Sequence, residues 1–305
     1  MKSVFRDLTG VFVLDKPEGI SSNQALQRIK CLFQAKKAGH TGSLDVLATG
    51  LLPICFGEAT KFSQFLLDAD KFYRVTAELG KKTTTSDREG SIIEQRSTQH
   101  VSDAFLQKIL AKFVGHVQQV PSMYSALKHQ GTPLYRLARQ GKTVERPARS
   151  IQIYELRLIH RDHDFMTLEV RCSKGTYIRT LVEDIGEELR CGAYVTELRR
   201  LAVGSLKESR MISLEQVETI FEEGGLAALD KTLLPIGAML LHLPICILSA
   251  QEAQALQFGQ TIQSPCQEFG LVRLYMDDDQ FIGMGEVLKT GILKAHRLLS
   301  FAHNL

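Results

Sequence analysis

The chain has 305 residues, 44% of them hydrophobic and 23% charged, with 37 Lys and Arg set against 34 Asp and Glu. That balance belongs to a folded globular protein of about two domains and excludes a disordered polyelectrolyte. A net charge of +3 permits a polyanionic partner without demanding one, so local clustering has to decide.

The six cysteines (Cys31, Cys55, Cys172, Cys191, Cys246 and Cys266) are scattered and form no CxxC pair. This argues against a disulfide framework or a zinc centre, and for a reducing cytoplasm. The first ten residues carry charge on both sides of a short apolar patch, unlike a secretory leader. The most apolar run, residues 233–248, contains two prolines, a glycine and a histidine. It is also shorter than the roughly 20 residues a spanning helix needs, so no membrane segment is expected.

In chain order, Ser21 and Ser22 are candidate caps for a helix carrying Leu26, Ile29 and Phe33 on one face. Residues 39–50, GHTGSLDVLATG, combine three glycines with a single carboxylate, Asp45. Between Glu18 and Asp45 the only charged residues are Arg28, Lys30, Lys36 and Lys37. The stretch lacks the GK[ST] ending of a nucleotide-binding loop. Read locally, Asp45 is either a turn or helix cap, or a carboxylate presented for chemistry.

Tyr73, Val75, Ala77 and Leu79 alternate with Arg74, Thr76 and Glu78, the pattern of a half-buried strand. A helix is expected from about Ser102, with Phe105, Ile109, Leu110 and Phe113 inward. Met166, Leu168, Val170 and Cys172 mark another strand. Gly175 then leads into a helix bearing Ile178, Leu181, Val182, Ile185 and Leu189, stopped by Gly192. No repeats occur, and the fold class expected is α+β.

A boundary is expected after about residue 210, where a capping box (Ser213, Gln216) opens an acidic helix that ends at the paired glycines Gly224 and Gly225. A second box, Ser249 with Glu252, opens a short helix that stops at Gly259. The tail then reads as two strands joined at Asp277, Asp278 and Asp279, a solvated hairpin tip in preference to a metal site. A small β-rich module is expected from about residue 245.

Few chemical signatures survive. His160-Arg161-Asp162 lacks the Asn and the Gly-rich lid of a kinase loop, and the nine histidines form no HExxH. Neither metal nor cofactor is expected. Residues 124–149 are more informative: Lys128, Arg136, Arg139, Lys142, Arg146 and Arg149 stand against Glu145 alone, with Tyr124 and Tyr135 interleaved. This suits a phosphate backbone with accessible bases, or equally a solvated helix face with two tyrosines packed inward. Farther on, an Arg at position 179 within reach of a carboxylate would lower its pKa by about 1–3 units and keep it ionised.

The segments GHTGSLDVLATG, KFYRV, LGKKTTTSDREG, VPSMYSALK, YRLARQG and CSKGTYIRTL occur in this order, preceded by VLDKPEGISS. In these motifs the chain resembles the TruB family of pseudouridine synthases, from the N-terminus through about residue 200. The resemblance implies isomerisation of a uridine to pseudouridine in the TΨC loop of tRNA, at tRNA position 55, without a guide RNA. It implies Asp45 as nucleophile, Tyr73 stacked on the target base, and Arg179 paired with Asp45. Tyr177 would hydrogen-bond near the base and His40 would contact the RNA. Leu198 would line the uracil pocket, although ordinary core packing explains it as well. Lys16 would support the active-site loop and Lys61 would touch phosphate. The uridine would have to be extruded from the folded tRNA loop, which costs a few kcal/mol.

The same resemblance implies a catalytic domain over residues 1–240, a mixed and mostly antiparallel sheet with flanking helices. Residues 124–149 become its RNA-binding insertion, and residues 245–305 a PUA-like RNA-binding domain. A cytoplasmic monomer acting on the T-arm of tRNA, with no protein partner, is expected. Two other readings fit the same segments: a non-catalytic tRNA chaperone, and a guide-dependent catalytic subunit. Three positions depart from the family pattern. Val46 stands for the usual proline after the Asp, Ser43 for a Thr or Ala, and Ser122 for a second proline. Val46 removes some loop preorganisation but no chemical group.

Overall fold

The computed structural model describes residues 5–125, 127–276 and 280–300. A ten-stranded sheet runs through the larger part of the molecule. Its main path is Ile212–Ser213, Gly10–Lys16, Thr49–Phe56, Ala193–Val203, Lys71–Leu79, Phe165–Cys172, Arg149–Asp162 and Gly115–Gln119. Most neighbours are antiparallel. Two pairs are parallel: Gly10–Lys16 with Ile212–Ser213, and Thr49–Phe56 with Ala193–Val203.

The alternation read over residues 73–79 falls inside the strand Lys71–Leu79, where Val75, Ala77 and Leu79 are buried. The helix Ile178–Glu188 packs its apolar stripe (Ile178, Leu181, Val182 and Ile185) into the same cluster as Val75, Leu168 and Val195. It ends where the N–H groups of Cys191 and Gly192 both donate to the Gly186 carbonyl, with Gly192 at φ +76°. The helix lies so close to the chain that a Cβ at Gly186 would sit 2.3 Å from the Ala193 nitrogen. Gly186→Ala is therefore expected to push the helix off the sheet and lower stability by about 2–3 kcal/mol, measured by urea unfolding.

On the first strands, Phe33 contacts Phe12 and Phe56 at centroid distances of 5.3 and 5.0 Å. Against this aromatic group pack the helices Ser22–Leu32 and Leu214–Asp230. The expected stop at Gly224 and Gly225 occurs, since Gly225 leaves the helical conformation. At Gly225 (φ +62°) the first helical segment ends, and a second, anchored by fully buried Leu229, runs to Asp230. There is no break near residue 210, by contrast, since Ile212–Ser213 extends the large sheet.

A second, five-stranded sheet comprises Ile245–Leu248, Gly270–Met276, Gln280–Val287, Ile292–Leu298 and Ile262–Gln263, covered by the helix Ala250–Gln257. Both expected capping boxes, at Ser213 and Ser249, are formed. The two sheets share a core in which Met284 joins Val11, Phe62, Ile236 and Met239, with Phe281 edge-on to Phe62 at 5.7 Å. The acidic turn at Asp277, Asp278 and Asp279 lies outside the described residues. Among those described, no helix is long and apolar enough to cross a membrane, and no cluster of His, Cys, Asp and Glu is arranged to hold a metal.

Candidate active site

Three distant parts of the chain meet at the middle of the large sheet. The loop between the strands Ala38–His40 and Thr49–Phe56 carries Asp45, and those two strands pair with each other. Beside it run Ala193–Val203 and Lys71–Leu79, which bring Leu198, Arg200 and Tyr73 to the same place. The helix that begins at Ile178 supplies Arg179.

Asp45 caps nothing. No helix follows it, and its carboxylate is held two-pronged by Arg179, with Nε at 2.9 Å and Nη2 at 3.3 Å. Its side chain is nevertheless 41% exposed, so a ligand in the cleft can reach it. Arg179 itself is buried and fully occupied. It donates to Asp87 at 3.0 Å, to the Thr85 carbonyl at 3.0 Å and to the Tyr124 carbonyl at 2.8 Å. Such a fork suits a guanidinium, whose planar donors engage two carboxylates at once. Asp87, only 2% exposed, is the buried end of the network.

Arg179 and Lys16 both pull the Asp45 pKa down, as expected of an ion pair. Desolvation in the cleft is the larger influence, Asp87 adds to it, and the carboxyl ends above the ordinary aspartate value. The expectation that Arg179 would leave Asp45 below that value is thus corrected: the ion pair offsets burial without overcoming it.

Lys16 lies wholly buried under the loop and donates to the carbonyls of Pro17 (2.7 Å), Ala48 (2.8 Å) and Val46 (3.4 Å). Burial brings its pKa down to about 8. Val46 is fixed through its backbone, since its carbonyl also accepts from Gly19 N–H at 2.9 Å. Both bonds use the carbonyl, which a proline at this position would also offer, so Val46 preserves this anchoring of the loop.

Tyr73 packs against the core cluster, opposite Arg200 on the neighbouring strand. Burial drives its hydroxyl above the usual tyrosine value, with Arg200 opposing. At neutral pH it is therefore a hydrogen-bond donor and not a base. His40 is held below the ordinary histidine value by burial and by Arg200, and its Nδ1 is buried without a partner. Leu198, 7% exposed, joins Leu44, Leu47, Ala48 and Val75 in the apolar wall behind Asp45. Tyr177 caps the Arg179 helix, its backbone gripped from both sides by buried Gln119, with N–H to Oε1 at 2.8 Å and Nε2 to O at 3.1 Å.

Lys61 lies away from the Asp45 loop, in the short helical turn Gly57–Phe62. Its ammonium pairs with Glu58 and Ser300, both at about 2.7 Å or less, where the two sheets meet. In the insertion, the hairpin Lys128–His129/Thr132–Pro133 leads to the helix Leu134–Arg139. Lys128, Arg136, Arg139, Lys142 and Arg149 are exposed, and Arg139 lies over the Tyr135 ring at 5.7 Å. Arg146 is half-buried, its Nε without a partner. Between this insertion and the helix Ile178–Glu188 is a cleft of about 500 Å³, lined by Tyr124, Lys142, Arg146, Thr180 and Asp184. Tyr124 is thus common to the cleft wall and to the Arg179 network.

Sequence reasoning passed over Asp87, Arg200 and Gln119. For Arg200 a signal existed: it shares strand parity with buried Leu198, an unusual place for a cation. Asp87 lay inside a quoted motif, TTTSDREG, with nothing local to set it apart from a turn residue.

Three family domains match the chain in succession. The TruB family pseudouridylate synthase N-terminal domain covers residues 30–178, the tRNA pseudouridylate synthase B C-terminal domain 179–241, and the pseudouridine synthase II TruB C-terminal domain 244–299. A tRNA pseudouridine synthase B of Actinobacillus pleuropneumoniae is 53% identical over 97% of both chains. One of Coxiella burnetii is 52% identical over 96% of both. Among solved structures, a chain of a Cbf5-Nop10-Gar1 complex superposes with a TM-score of 0.72 at 25% identity, covering 95% of this chain and 80% of that one.

Proposed function

The chain belongs to the TruB family of pseudouridylate synthases, and from that premise we propose that it isomerises the T-loop uridine of tRNA to pseudouridine, unaided by a guide RNA. The observation that carries this reading is a reachable carboxylate, Asp45, held by a buried Arg179 that is itself anchored on Asp87.

The reaction adds and removes no atoms, so a nucleophile and a proton acceptor balance it. An Asp45 oxygen adds to the extruded nucleoside and forms a covalent intermediate. The N1–C1′ bond breaks, the pyrimidine turns, C5 bonds to C1′, the carboxylate departs, the C5 proton passes to an acceptor, and N1 takes up a proton from solvent, so the atoms balance. Arg179 holds Asp45 in one orientation while Lys16 pins the loop backbone, so little reorganisation is left for the reacting state. Tyr73 and Leu198 offer an apolar bed for the pyrimidine, with the Tyr73 hydroxyl as donor. His40, neutral, would contact the RNA beside the extruded nucleotide.

The exposed cations of residues 124–149 are positioned to follow the phosphate backbone into the cleft, and the small C-terminal sheet would carry a further, PUA-like contact to tRNA. Lys61, engaged by Glu58 and Ser300, would reach phosphate only by exchanging those partners. We infer action as a cytoplasmic monomer without protein partners. Support comes from the near-full-length match to the two tRNA pseudouridine synthases B, at twice the identity shared with the chain of the Cbf5-Nop10-Gar1 complex.

The test is to incubate purified protein with unmodified tRNA transcripts and map pseudouridine by carbodiimide adducts and reverse transcription. One new stop at the T-loop uridine is expected. Binding and refolding of tRNA with no stop would overturn the catalytic reading in favour of a chaperone. A stop that arises only when a guide RNA is added would overturn guide independence.

A further inference from the structure

Among the described residues Arg200 is the largest fully buried side chain, 1% exposed, and it sits directly behind the Asp45 loop. Among the described residues it makes no ion pair, and its hydrogen-bond acceptors are carbonyl oxygens. Nε donates to Leu51 O at 2.7 Å and Nη2 to Gly42 O at 3.1 Å. These two carbonyls flank the segment that carries Asp45.

The sheet makes this placement possible. Arg200 lies between Tyr73 on one neighbouring strand and Gly50 on the other, just before an irregularity in the ladder at Leu201. Bulges next to active sites commonly re-aim a side chain. Gly50 and Gly42 leave the space: a Cβ at Gly42 would stand 3.4 Å from Nη1.

Burying a guanidinium against neutral acceptors alone is unfavourable, and stapling two carbonyls does not require it. The charges around the cleft floor explain it better. Two carboxylates, Asp45 and Asp87, face three buried cations, Lys16, Arg179 and Arg200. Arg179 is committed to both carboxylates, and Lys16 to three carbonyls. Arg200 is thus a buried cation without a carboxylate partner, and its influence reaches the Tyr73 hydroxyl and His40.

We propose that Arg200 is a positioning residue for the isomerisation: it fixes the two ends of the Asp45 loop and, acting through the Tyr73 hydroxyl, supports the negative charge that passes from Asp45 to the pyrimidine during the reaction. When Asp45 becomes covalently bound it loses its charge, and the electron pair is taken up by the pyrimidine ring and its oxygens. A donor polarised by a fixed cation stabilises that oxygen without reorganisation. Arg200 itself forms no bond to the substrate and keeps its protons. The proposal rests on the pseudouridine-forming reading given above.

The experiment compares wild type, Arg200→Gln and Arg200→Lys. It reads single-turnover tritium release from tRNA labelled at uracil C5, the dissociation constant for the same tRNA, and thermal unfolding. Arg200→Gln is expected to lower the rate by about 100-fold with affinity within about threefold, and Arg200→Lys to recover about tenfold of that loss. A purely structural role predicts that rate and affinity fall together and that Lys does no better than Gln, which would overturn the proposal. So would a Gln variant with a rate within about threefold of wild type.

If Arg200→Gln does not fold, the cycle of Arg200→Lys with Tyr73→Phe decides. Action through Tyr73 predicts that Arg200→Lys costs rate in the wild-type background and little in Tyr73→Phe. Independent, multiplicative losses would contradict it. Absence of turnover by wild type would overturn the functional reading together with this proposal, whereas wild-type turnover with an unimpaired Gln variant would overturn this proposal alone.

Discussion

Asp87→Asn is expected to lower single-turnover isomerisation by about 100-fold while leaving tRNA affinity within about threefold. Asp87 is buried and is joined to Asp45 through Arg179, 3.0 Å away. Without its charge, Arg179 keeps Asp45 and two carbonyls but loses the partner that fixes its far side. A carboxylate that must attack along one direction then spends less time aligned.

The pH profile gives this prediction a sign. Asp45 attacks only when ionised, so activity falls on the acid side as pH drops through its pKa. The negative charge of Asp87 is one of the causes that raise this pKa. Removing it must lower the Asp45 pKa, and the acid limb of the residual activity should move to lower pH. An unmoved limb, or one displaced upwards, would show that Asp87 and Asp45 do not share Arg179 as described.

Gly50→Ala should be the most damaging small substitution near the site. Gly50 has φ +98°, a backbone conformation that side chains rarely adopt, and a Cβ there would lie 2.3 Å from the Arg200 carbonyl oxygen. The strand Thr49–Phe56 would have to separate from Ala193–Val203, taking the Asp45 loop with it. A loss of about 3 kcal/mol or more is expected, read as a fall in Tm of roughly 5–10 °C, with activity lost out of proportion to folded protein. Wild-type stability in Gly50→Ala would mean that the two strands are not in such close approach.

The parts of the fold that were legible are those whose pattern is local. Residues 71–79 alternate because one face is covered and the other is polar, and the helix at 178–188 shows its stripe because it lies on one side of a sheet. The strands Gly10–Lys16 and Thr49–Phe56 are buried almost throughout, so period-2 alternation is erased and they read only as apolar runs. The helix from Leu214 does end at its glycines, but the short second helical segment that buries Leu229 depends on tertiary packing that residues 224 and 225 do not reveal.

For the site, the resemblance supplied Asp45, Tyr73 and Arg179, and the assembled sheet adds the reason they lie together. Arg179 is separated from Asp45 by 134 residues and from Asp87 by 92, so the network exists only once the sheet is assembled. The direction of the Asp45 pKa was misjudged for a related reason. An ion pair can be anticipated from residue types, but the desolvation that outweighs it depends on walls contributed by several distant segments.

The central claim is that Asp45 is the nucleophile of a uridine isomerisation. Its most direct test is tritium release from C5-labelled, unmodified tRNA, comparing wild type with Asp45→Asn. That substitution keeps the side chain's shape while removing its charge and its ability to form the covalent intermediate. The account predicts release by wild type, none above background by Asp45→Asn, and tRNA binding by both. Turnover by Asp45→Asn at the wild-type rate would contradict it.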